Sequence, residues 1–217
     1  MTAPGSHYFD EDPTTDSSPR DVVLLLPDVQ LTLTTDRGVF GYDRIDGGTK
    51  LLLLRAPAPA KTGNLLDIGC GTGAIALTMA RRSPAATVWA VDVNERARDL
   101  CRINAERNGI GNVTVCAPDD VPAGIAFATV WSNPAIRIGK PALHSMLLRW
   151  LGRMAEDGEA MLVVHKHLGS DSLQTWLTVQ GYPTSRLASS AGYRILRCVT
   201  AGPGRPPPVA ESPSAAV

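Results

Sequence analysis

The segment TVWSNPAIRIGK, residues 129–140, places polar and turn-forming residues directly after an apolar run. Residues 125–131 have the composition of a buried strand, whereas Asn133 and Pro134 are poor strand formers and good turn formers. The strand therefore has a reason to end at this point. Asn133 either only forms a turn there or presents its amide to a substrate, and the rest of the sequence decides between these two interpretations.

A glycine-rich turn, LLDIGCGTG at residues 65–73, ends the first predicted core strand and opens the helix that follows it. Glycine permits positive φ angles and lets the backbone approach a ligand closely. The next predicted strand ends in an acid, Asp92, which suits the two hydroxyl groups of a ribose. The turn, the acid and their order along the chain predict a nucleotide-type cofactor rather than a turn that serves packing alone.

The same turn also fits a second class of cofactor, because GCGTGA at residues 69–74 satisfies the GxGxx(G/A) pattern of dinucleotide-binding enzymes. Asp67 argues against that class, since a carboxylate just before the first glycine would repel a pyrophosphate. The sequence also shows no polar catalytic pair of the dehydrogenase kind after the turn. An acid at this position suits a cationic ligand, such as the ammonium in the amino-acid part of S-adenosylmethionine (SAM).

The elements that position these residues alternate between strands and helices. Two β-like runs, residues 22–26 and 29–34, come first, and Thr49 is the expected N-cap of a leucine-rich helix over residues 50–55. The remaining body has the order β-α-β-α-β-β-α-β-α-β-β with short connections. This order is typical of an α/β fold with a doubly wound, mostly parallel sheet, which binds ligands at the carboxyl ends of its strands.

Composition restricts the classes of function that remain. The 217 residues carry 21 Lys and Arg and 21 Asp and Glu, and a formal net charge of zero argues against bulk electrostatic capture of nucleic acid. The four cysteines lack metal-type spacing, so we expect reduced, mostly buried thiols and no metal site. No apolar run reaches membrane-spanning length and the N-terminus is polar and acidic, so we expect no membrane association, no secretory signal and a cytoplasmic location.

The body of the chain, residues 21–200, is expected to form one domain, in which residues 21–60 supply a small N-terminal β extension and a helix. The flanking segments, residues 1–20 and 201–217, are rich in Pro, Ser, Gly and charge. Segments of this composition cannot bury an apolar face, so both are predicted to be disordered.

Four segments in this order, LTTDRGVFGYDRIDGGTKLLL, LLDIGCGTG, SNPAIRIGK and AGYRIL, resemble the methyltransferase-small domain of ribosomal RNA guanine-N2 methyltransferases, in particular the short single-domain members. The second segment, with Asp92 on the next strand, is similar to the cofactor motif of class I SAM-dependent methyltransferases. The third resembles the (N/D/S)PP(Y/F/I) motif of those that methylate amines, although Ala135 replaces its second proline and Ile136 stands where adenine methyltransferases carry an aromatic. The resemblance implies a Rossmann-like seven-stranded sheet whose last strand is antiparallel, with SAM as the cofactor and ribosomal RNA as the partner.

The resemblance also implies which residues bind SAM. Asp92 would bind the ribose, Val93 and Asp119 the adenine, and Phe40 and Thr49 would help to close the pocket. The residues that would surround the methionine part are Asp67, Gly69, Cys70, Gly71 and Gly73. For catalysis it implies the side-chain oxygen of Asn133 and the carbonyl of Pro134. These two acceptors would hold the N–H bonds of an exocyclic amine and turn its lone pair toward the methyl group.

Residues after the motif are expected to contact the substrate. Ile136 would face the base, and Arg137, Lys140 and Lys166 could bind RNA phosphates, the alternative being an ordinary solvated surface. The expected function is SAM-dependent methylation of the exocyclic N2 of a guanine in ribosomal RNA, with no DNA substrate. Two alternatives remain: a methyltransferase for a protein or small-molecule amine, which the zero net charge favours, and a SAM-binding module without turnover that interacts with ribosomes or a partner protein.

Overall fold

The computed structural model describes residues 15–200. In chain order their strands and α-helices are β1 (Arg20–Leu25), β2 (Gln30–Thr35), α1 (Gly47–Arg55), β3 (Thr62–Ile68), α2 (Ala74–Arg82), β4 (Ala85–Val91), α3 (Glu95–Arg107), β5 (Val113–Cys116), β6 (Phe127–Ser132), α4 (Lys140–Leu151), β7 (Met154–His165), α5 (Ser170–Val179), β8 (Thr184–Ser190) and β9 (Tyr193–Val199). Short 3-10 turns at Pro118–Asp120, Ile136–Ile138 and Lys166–Leu168 follow β5, β6 and β7.

Strands β3 to β9 form one seven-stranded sheet with the order β5-β4-β3-β6-β7-β9-β8. The five strands from β5 to β7 are parallel, and β9 is antiparallel to both of its neighbours, β7 and β8. The predicted fold class, a doubly wound seven-stranded sheet with an antiparallel last strand and a small N-terminal β extension, is therefore confirmed. Between β3 and β6 the strand order reverses, which creates the switch point where such sheets bind ligands.

The sheet is buried on both faces because its central strands carry apolar residues in unbroken runs. In β3, Leu65 belongs to the core that α1 and α2 cover, whereas its neighbour Leu66 belongs to the core that α4 and α5 cover. Successive side chains of a strand point to opposite faces, so both cores share the same strands. Packing on two sides fixes the strand ends from which the site is built.

The N-terminal extension is joined to the main body through amide side chains of α3. The amide of Asn104 accepts a hydrogen bond from the N–H of Thr34 at 2.7 Å and donates one to the carbonyl of Thr34 at 2.9 Å. Asn108 makes the same pair of bonds with Thr32, at 3.1 and 2.9 Å. The two amides thus replace the neighbouring strand that β2 lacks on this side, and they fix the start of the loop over residues 36–46.

Helix α1 begins three residues earlier than predicted, at Gly47, because Asp46 rather than Thr49 is its N-cap. The Asp46 carboxylate accepts hydrogen bonds from the N–H groups of Gly48 at 2.8 Å and Thr49 at 3.1 Å. Thr49 lies within the first turn, so its prediction as the cap was wrong. Two glycines, which are weak helix formers, occupy the first turn and hid this start from the sequence pattern.

Residues 15–19 precede β1 and contact the body of the protein. The hydroxyl of Ser17, for example, donates a hydrogen bond to the carboxylate of Asp36 at 2.7 Å. Two segments were predicted to be disordered, residues 1–20 and 201–217. Of these, residues 1–14 and 201–217 lie outside the described residues. The domain limits stay a prediction.

All four cysteines are free and buried. In the part of the chain that the structure describes, no helix is long and apolar enough to cross a membrane. Nor do these residues contain a group of three or more His, Cys, Asp or Glu side chains placed to hold a metal ion.

Candidate active site

A cleft of about 1250 Å³ opens at the carboxyl ends of β3, β4, β5 and β6. Its walls are formed by the segments that follow each of these strands. The loop between β2 and α1 closes one side, and residues after β7 together with Tyr193 of β9 close another. The position of the cleft follows from the topology, since connections diverge to either side of the sheet at the switch point between β3 and β6.

The glycine turn after β3 is held against β4 by backbone hydrogen bonds. The N–H groups of Gly69 and Cys70 donate to the carbonyl of Val91, at 2.8 and 3.0 Å. Gly69 and Gly71 have φ angles of 74° and 52° and line the cleft, where their bare backbone can approach a ligand. Cys70 is buried and does not line the cleft, and neither does Gly73, which precedes α2 with a φ of 91°.

Asp92 lies at the end of β4 and lines the cleft beside the turn. One carboxylate oxygen accepts the N–H of Gly71 at 2.9 Å, and the other accepts the N–H of Asn94 at 3.0 Å. Burial raises the pKa of Asp92, and these hydrogen bonds oppose the shift because they favour the carboxylate. Each oxygen retains a second lone pair, so the group is suited to accept hydrogen bonds from ribose hydroxyls.

Asp67 lies at the end of β3 and is fully buried, so it does not line the cleft. Its Oδ2 accepts the N–H of Ala76 in α2 at 2.9 Å, whereas Oδ1 has no hydrogen-bond partner among the described residues. Burial raises the pKa of this carboxyl to about 8; the Ala76 N–H opposes the shift and the charge of Asp92 adds to it. A cation bound in the adjacent cleft would favour the charged form of this carboxyl, so Asp67 can attract the positive charge of SAM without contacting it.

Three further residues predicted to contact SAM line the cleft, and a fourth does not. Val93 and Phe40 expose 44% and 40% of their apolar side chains, as a surface for an adenine ring requires. Asp119 follows β5, and its carboxylate forms an exposed ion pair with Arg149 at 2.8 Å. Thr49 is buried and does not line the cleft, so the structure gives it no direct place in closing the pocket.

Asn133 follows β6 and lines the cleft where that strand ends. Its amide nitrogen donates to Oδ2 of Asp46 at 2.9 Å and to the hydroxyl oxygen of Thr49 at 3.1 Å. A carboxylate only accepts hydrogen bonds, so the nitrogen end of the amide must face Asp46. The amide oxygen accepts no hydrogen bond from residues 15–200 and remains available to a ligand.

The carbonyl of Pro134 is the second predicted acceptor. It accepts the N–H of Ile136 at 2.8 Å, and Ala135 between them has a φ of −68° and a ψ of 72°. These angles are those of an inverse γ-turn. The turn uses one lone pair of the carbonyl and leaves the other for a ligand. A hydrogen bond thus closes the loop where the related motif has a second proline.

Residues 30–197 match the Methyltransferase small domain family. The chain belongs to this family. It is a SAM-dependent methyltransferase, and the predicted cofactor is confirmed.

The methyltransferase is 34% identical to the protein YbxB of Bacillus subtilis (strain 168) over 194 residues. The aligned residues make up 88% of this chain and 96% of YbxB. It is also 32% identical over 176 residues to ribosomal RNA small subunit methyltransferase C of Pseudomonas aeruginosa (strain LESB58). Here the aligned residues make up 79% of this chain and 52% of that protein. The chain thus spans about half the length of this second relative. A solved T. thermophilus 16S rRNA N2 methyltransferase, in complex with AdoMet and guanosine, has the same fold: the TM-score is 0.72 at 20% identity, over 87% of this chain and 52% of that one.

Asp46 and Tyr193 are among the residues of the methyltransferase cleft that sequence reasoning missed. Both line the cleft, and the hydroxyl of Tyr193 donates to Oδ1 of Asp46 at 3.1 Å. An Asp directly before two glycines and a helix was a signal for an N-cap. Tyr193 lies in the segment AGYRIL, but nothing in that segment alone indicates a link to Asp46.

The structure brings two of the four predicted substrate contacts to the methyltransferase cleft. Ile136 and Arg137 line it, in the 3-10 turn after β6. Lys140 begins α4 and Lys166 follows β7; both are exposed and neither lines the cleft. Lys166 instead lines a second, shallow groove that shares Tyr193 with the cleft.

Proposed function

We propose that this protein transfers a methyl group from SAM to the exocyclic N2 of a guanine in ribosomal RNA. The names of its relatives support an RNA substrate, since the P. aeruginosa protein is a ribosomal RNA small subunit methyltransferase. The T. thermophilus enzyme of the same fold is an N2 methyltransferase of 16S rRNA, and its structure holds AdoMet together with guanosine. The chemistry of the cleft supports the same acceptor.

The size of the cleft suits two ligands. Its volume of about 1250 Å³ exceeds the roughly 300–1,000 Å³ that is typical of a site for one small molecule. SAM would occupy the half beside Gly69, Asp92 and Val93, where the bare turn, the acid and the apolar surface meet. The base would occupy the half beside Asn133 and Ile136.

The observation that carries the proposal is the fixed polarity of the Asn133 amide. Its nitrogen is bonded to Asp46 and Thr49, so its oxygen and the carbonyl of Pro134 offer only acceptors to the cleft. An exocyclic amine has two N–H bonds and can satisfy both acceptors. The lone pair of such an amine is otherwise spread into the aromatic ring, and this arrangement turns it toward the methyl group.

SAM supplies an electrophilic methyl group on a sulfonium, which the amine attacks in line. The protein lowers the barrier chiefly by placement, because the acceptors hold the nitrogen at the angle and distance that the displacement needs. Positive charge develops on the nitrogen as the C–N bond forms. The C–S bond breaks at the same time and leaves neutral S-adenosylhomocysteine. The oxygen atoms of Asn133 and Pro134 stabilise the charge on the nitrogen, which then releases one proton to water.

The two acceptors would also suit an amine on a protein or a small molecule, so the choice of RNA rests on the relatives. Exposed cations near the cleft support it, because they can contact phosphates beside the target nucleotide. They are Arg137, Lys140 and Lys166. Such a substrate agrees with the expected cytoplasmic location, and no DNA substrate is proposed.

Transfer of an isotopically labelled methyl group tests the proposal. The acceptors are purified ribosomal RNA, small ribosomal subunits and a nuclease-treated protein extract. The control is Asn133→Ala, which leaves the SAM half of the cleft unchanged. We expect label in RNA, recovered as N2-methylguanosine by mass spectrometry of the nucleosides, and a loss of about a hundredfold in rate for the variant. Label confined to protein, or recovered on adenine, would overturn the assignment, and SAM binding without transfer to any acceptor would indicate a binding module.

A further inference from the structure

We propose that Asp46 determines which end of the Asn133 amide faces the acceptor, and that it thereby restricts the site to nitrogen acceptors. The inference rests on the proposed function, because the Asn133 amide matters only if it holds the group that is methylated. Asp46 contributes no atom to the transfer. It is a positioning residue that acts through its hydrogen bond to Asn133.

An asparagine amide has two ends of similar shape and opposite hydrogen-bond character. Only a partner that accepts without donating, or donates without accepting, can fix which end it meets. The hydroxyl of Thr49, 3.1 Å from the Asn133 nitrogen, can do both and so does not discriminate. The carboxylate of Asp46, at 2.9 Å, can only accept, and it alone among the described partners of Asn133 fixes the amide.

Asp46 is itself held in one orientation. Oδ2, which faces Asn133, also accepts the N–H groups of Gly48 at 2.8 Å and Thr49 at 3.1 Å at the start of α1. Oδ1 accepts the hydroxyl of Tyr193 on β9 at 3.1 Å. Both oxygens are therefore bound, and the position at a helix N-terminus stabilises the negative charge.

The close approach of Tyr193 to Asp46 depends on a glycine. A Cβ atom at Gly48 would lie 2.7 Å from ring atoms of Tyr193 and 2.9 Å from Oδ2 of Asp46, so any side chain there would displace one of them. Tyr193 also contacts His165 edge to face, with ring centroids 4.9 Å apart. Three segments that are distant in sequence are thus packed around one carboxylate, which gives it the rigidity that positioning requires.

The consequence of this arrangement lies in the chemistry that the cleft accepts. The oxygen of Asn133 and the carbonyl of Pro134 together need two donors. An amine with two N–H bonds supplies both, whereas a hydroxyl supplies one and a carbon nucleophile none, which leaves an acceptor unpaired. An inverted amide would point its own N–H bonds at the amine, and both the hold on the nitrogen and the stabilisation of its charge would be lost.

Asp46→Ser removes the discrimination while it preserves the helix cap. The hydroxyl can accept the N–H groups that begin α1 and can also donate, so it does not fix which end of the Asn133 amide it meets. With ribosomal RNA as substrate, we expect kcat to fall about 10- to 100-fold, while SAM affinity and the KM for RNA stay within about twofold of the wild type. The matched control is Asp43→Asn, which alters an exposed carboxylate of the same loop that pairs with Arg20 and should change none of the three.

A second variant separates positioning from a loss of charge. In Asp46→Asn, the N–H groups of Gly48 and Thr49 hold the amide oxygen in the place of Oδ2, so that oxygen still only accepts from Asn133. We expect this variant to keep kcat within about threefold of the wild type.

Each outcome decides between the two proposals. Full kcat in Asp46→Ser, or a loss in Asp46→Asn as large as that in Asp46→Ser, would refute the positioning role and leave the methylation in place. A loss of SAM affinity or thermal stability that accounts for the loss in kcat would show that Asp46 acts only as a helix cap, and would also refute it. If the wild-type protein methylates no amine, the proposed function itself fails.

Discussion

The buried carboxyl of Asp67 makes the stability of the protein depend on pH, and Asp67→Asn tests this dependence. The folded state raises the pKa of Asp67 from its ordinary value of 3.8 to about 8, chiefly through burial. Between these values the folded protein keeps a proton that the unfolded chain has released. The contribution of this group to the free energy of unfolding is therefore fully present below about pH 4 and is lost as the pH rises through the folded-state pKa.

The magnitude follows from the size of the shift. Within the window the slope is about 1.4 kcal/mol per pH unit, which sets an upper limit of roughly 6 kcal/mol over the whole range. Asparagine has no proton to lose, and its oxygen can still accept the N–H of Ala76. We therefore expect the stability of Asp67→Asn relative to the wild type to increase steadily between about pH 5 and about pH 8.

Urea unfolding at several pH values in this window measures the difference, with Asp43→Asn as the control for loss of a surface carboxylate. Parallel pH profiles for the wild type and Asp67→Asn would refute the reasoning, because they would mean that Asp67 ionises alike in the folded and unfolded states. Calorimetry supplies a second readout. The variant should bind SAM more weakly, since a neutral amide does not attract the cation as a carboxylate does.

Three further predictions concern the cofactor, the loop after β6 and a hairpin. Asp92→Ala should weaken SAM binding by about 1.5–3 kcal/mol, as expected for the loss of hydrogen bonds to a charged group, and unchanged affinity in calorimetry would remove Asp92 from the site. Ala135→Pro should preserve or raise the single-turnover rate at saturating SAM, and a slower variant would contradict this. The φ of −68° suits proline, and the N–H of residue 135 donates no hydrogen bond within residues 15–200. Ala191→Gly should raise the free energy of unfolding by about 0.5–1 kcal/mol, because Ala191 has a φ of 47° in the two-residue turn between β8 and β9 and glycine adopts this angle without strain. An unchanged midpoint of urea unfolding would show that the turn is unstrained.

Features that depend on residues near one another in sequence could be predicted. A tight turn between a strand and a helix requires positive φ at particular positions, so Gly69 and Gly71 indicated the turn whatever surrounds it. The end of β6 at Asn133-Pro134 is equally local, because Pro cannot donate to a sheet ladder. The place of Asp92 at the end of β4 could also be predicted, because one helix and one strand of ordinary length separate it from the glycine turn. The structure brings these residues to one cleft, whereas their contacts with SAM and the acceptor stay predictions.

Features that depend on contacts between distant segments could not be read from the sequence. Tyr193 and Asp46 are 147 positions apart, and no local pattern relates a tyrosine after a hairpin turn to the cap of a helix. Thr49 was predicted from its place in a motif to help close the pocket, but α1 begins at Gly47 with Asp46 as its cap, and Thr49 is buried in the first turn. The environment of Asp67 is likewise a property of the folded sheet, since its side chain lies on the face that α2 covers and accepts the N–H of Ala76 there.

Two acids near the cleft are held in opposite ways, and the difference suits them to different tasks. Asp46 accepts four hydrogen bonds shared between its two oxygens, so its carboxylate is satisfied and can orient a neighbour. Asp67 accepts one, keeps an oxygen without a described partner and has a pKa raised to about 8, so its charged form is unfavourable until a cation is near. SAM brings positive charge to the site, whereas the target amine is neutral until it is methylated. The unsatisfied acid therefore suits its place behind the glycine turn, on the cofactor side of the cleft. The acceptor half needs a satisfied one, because a free carboxylate there would take the N–H bonds of the amine in place of Asn133.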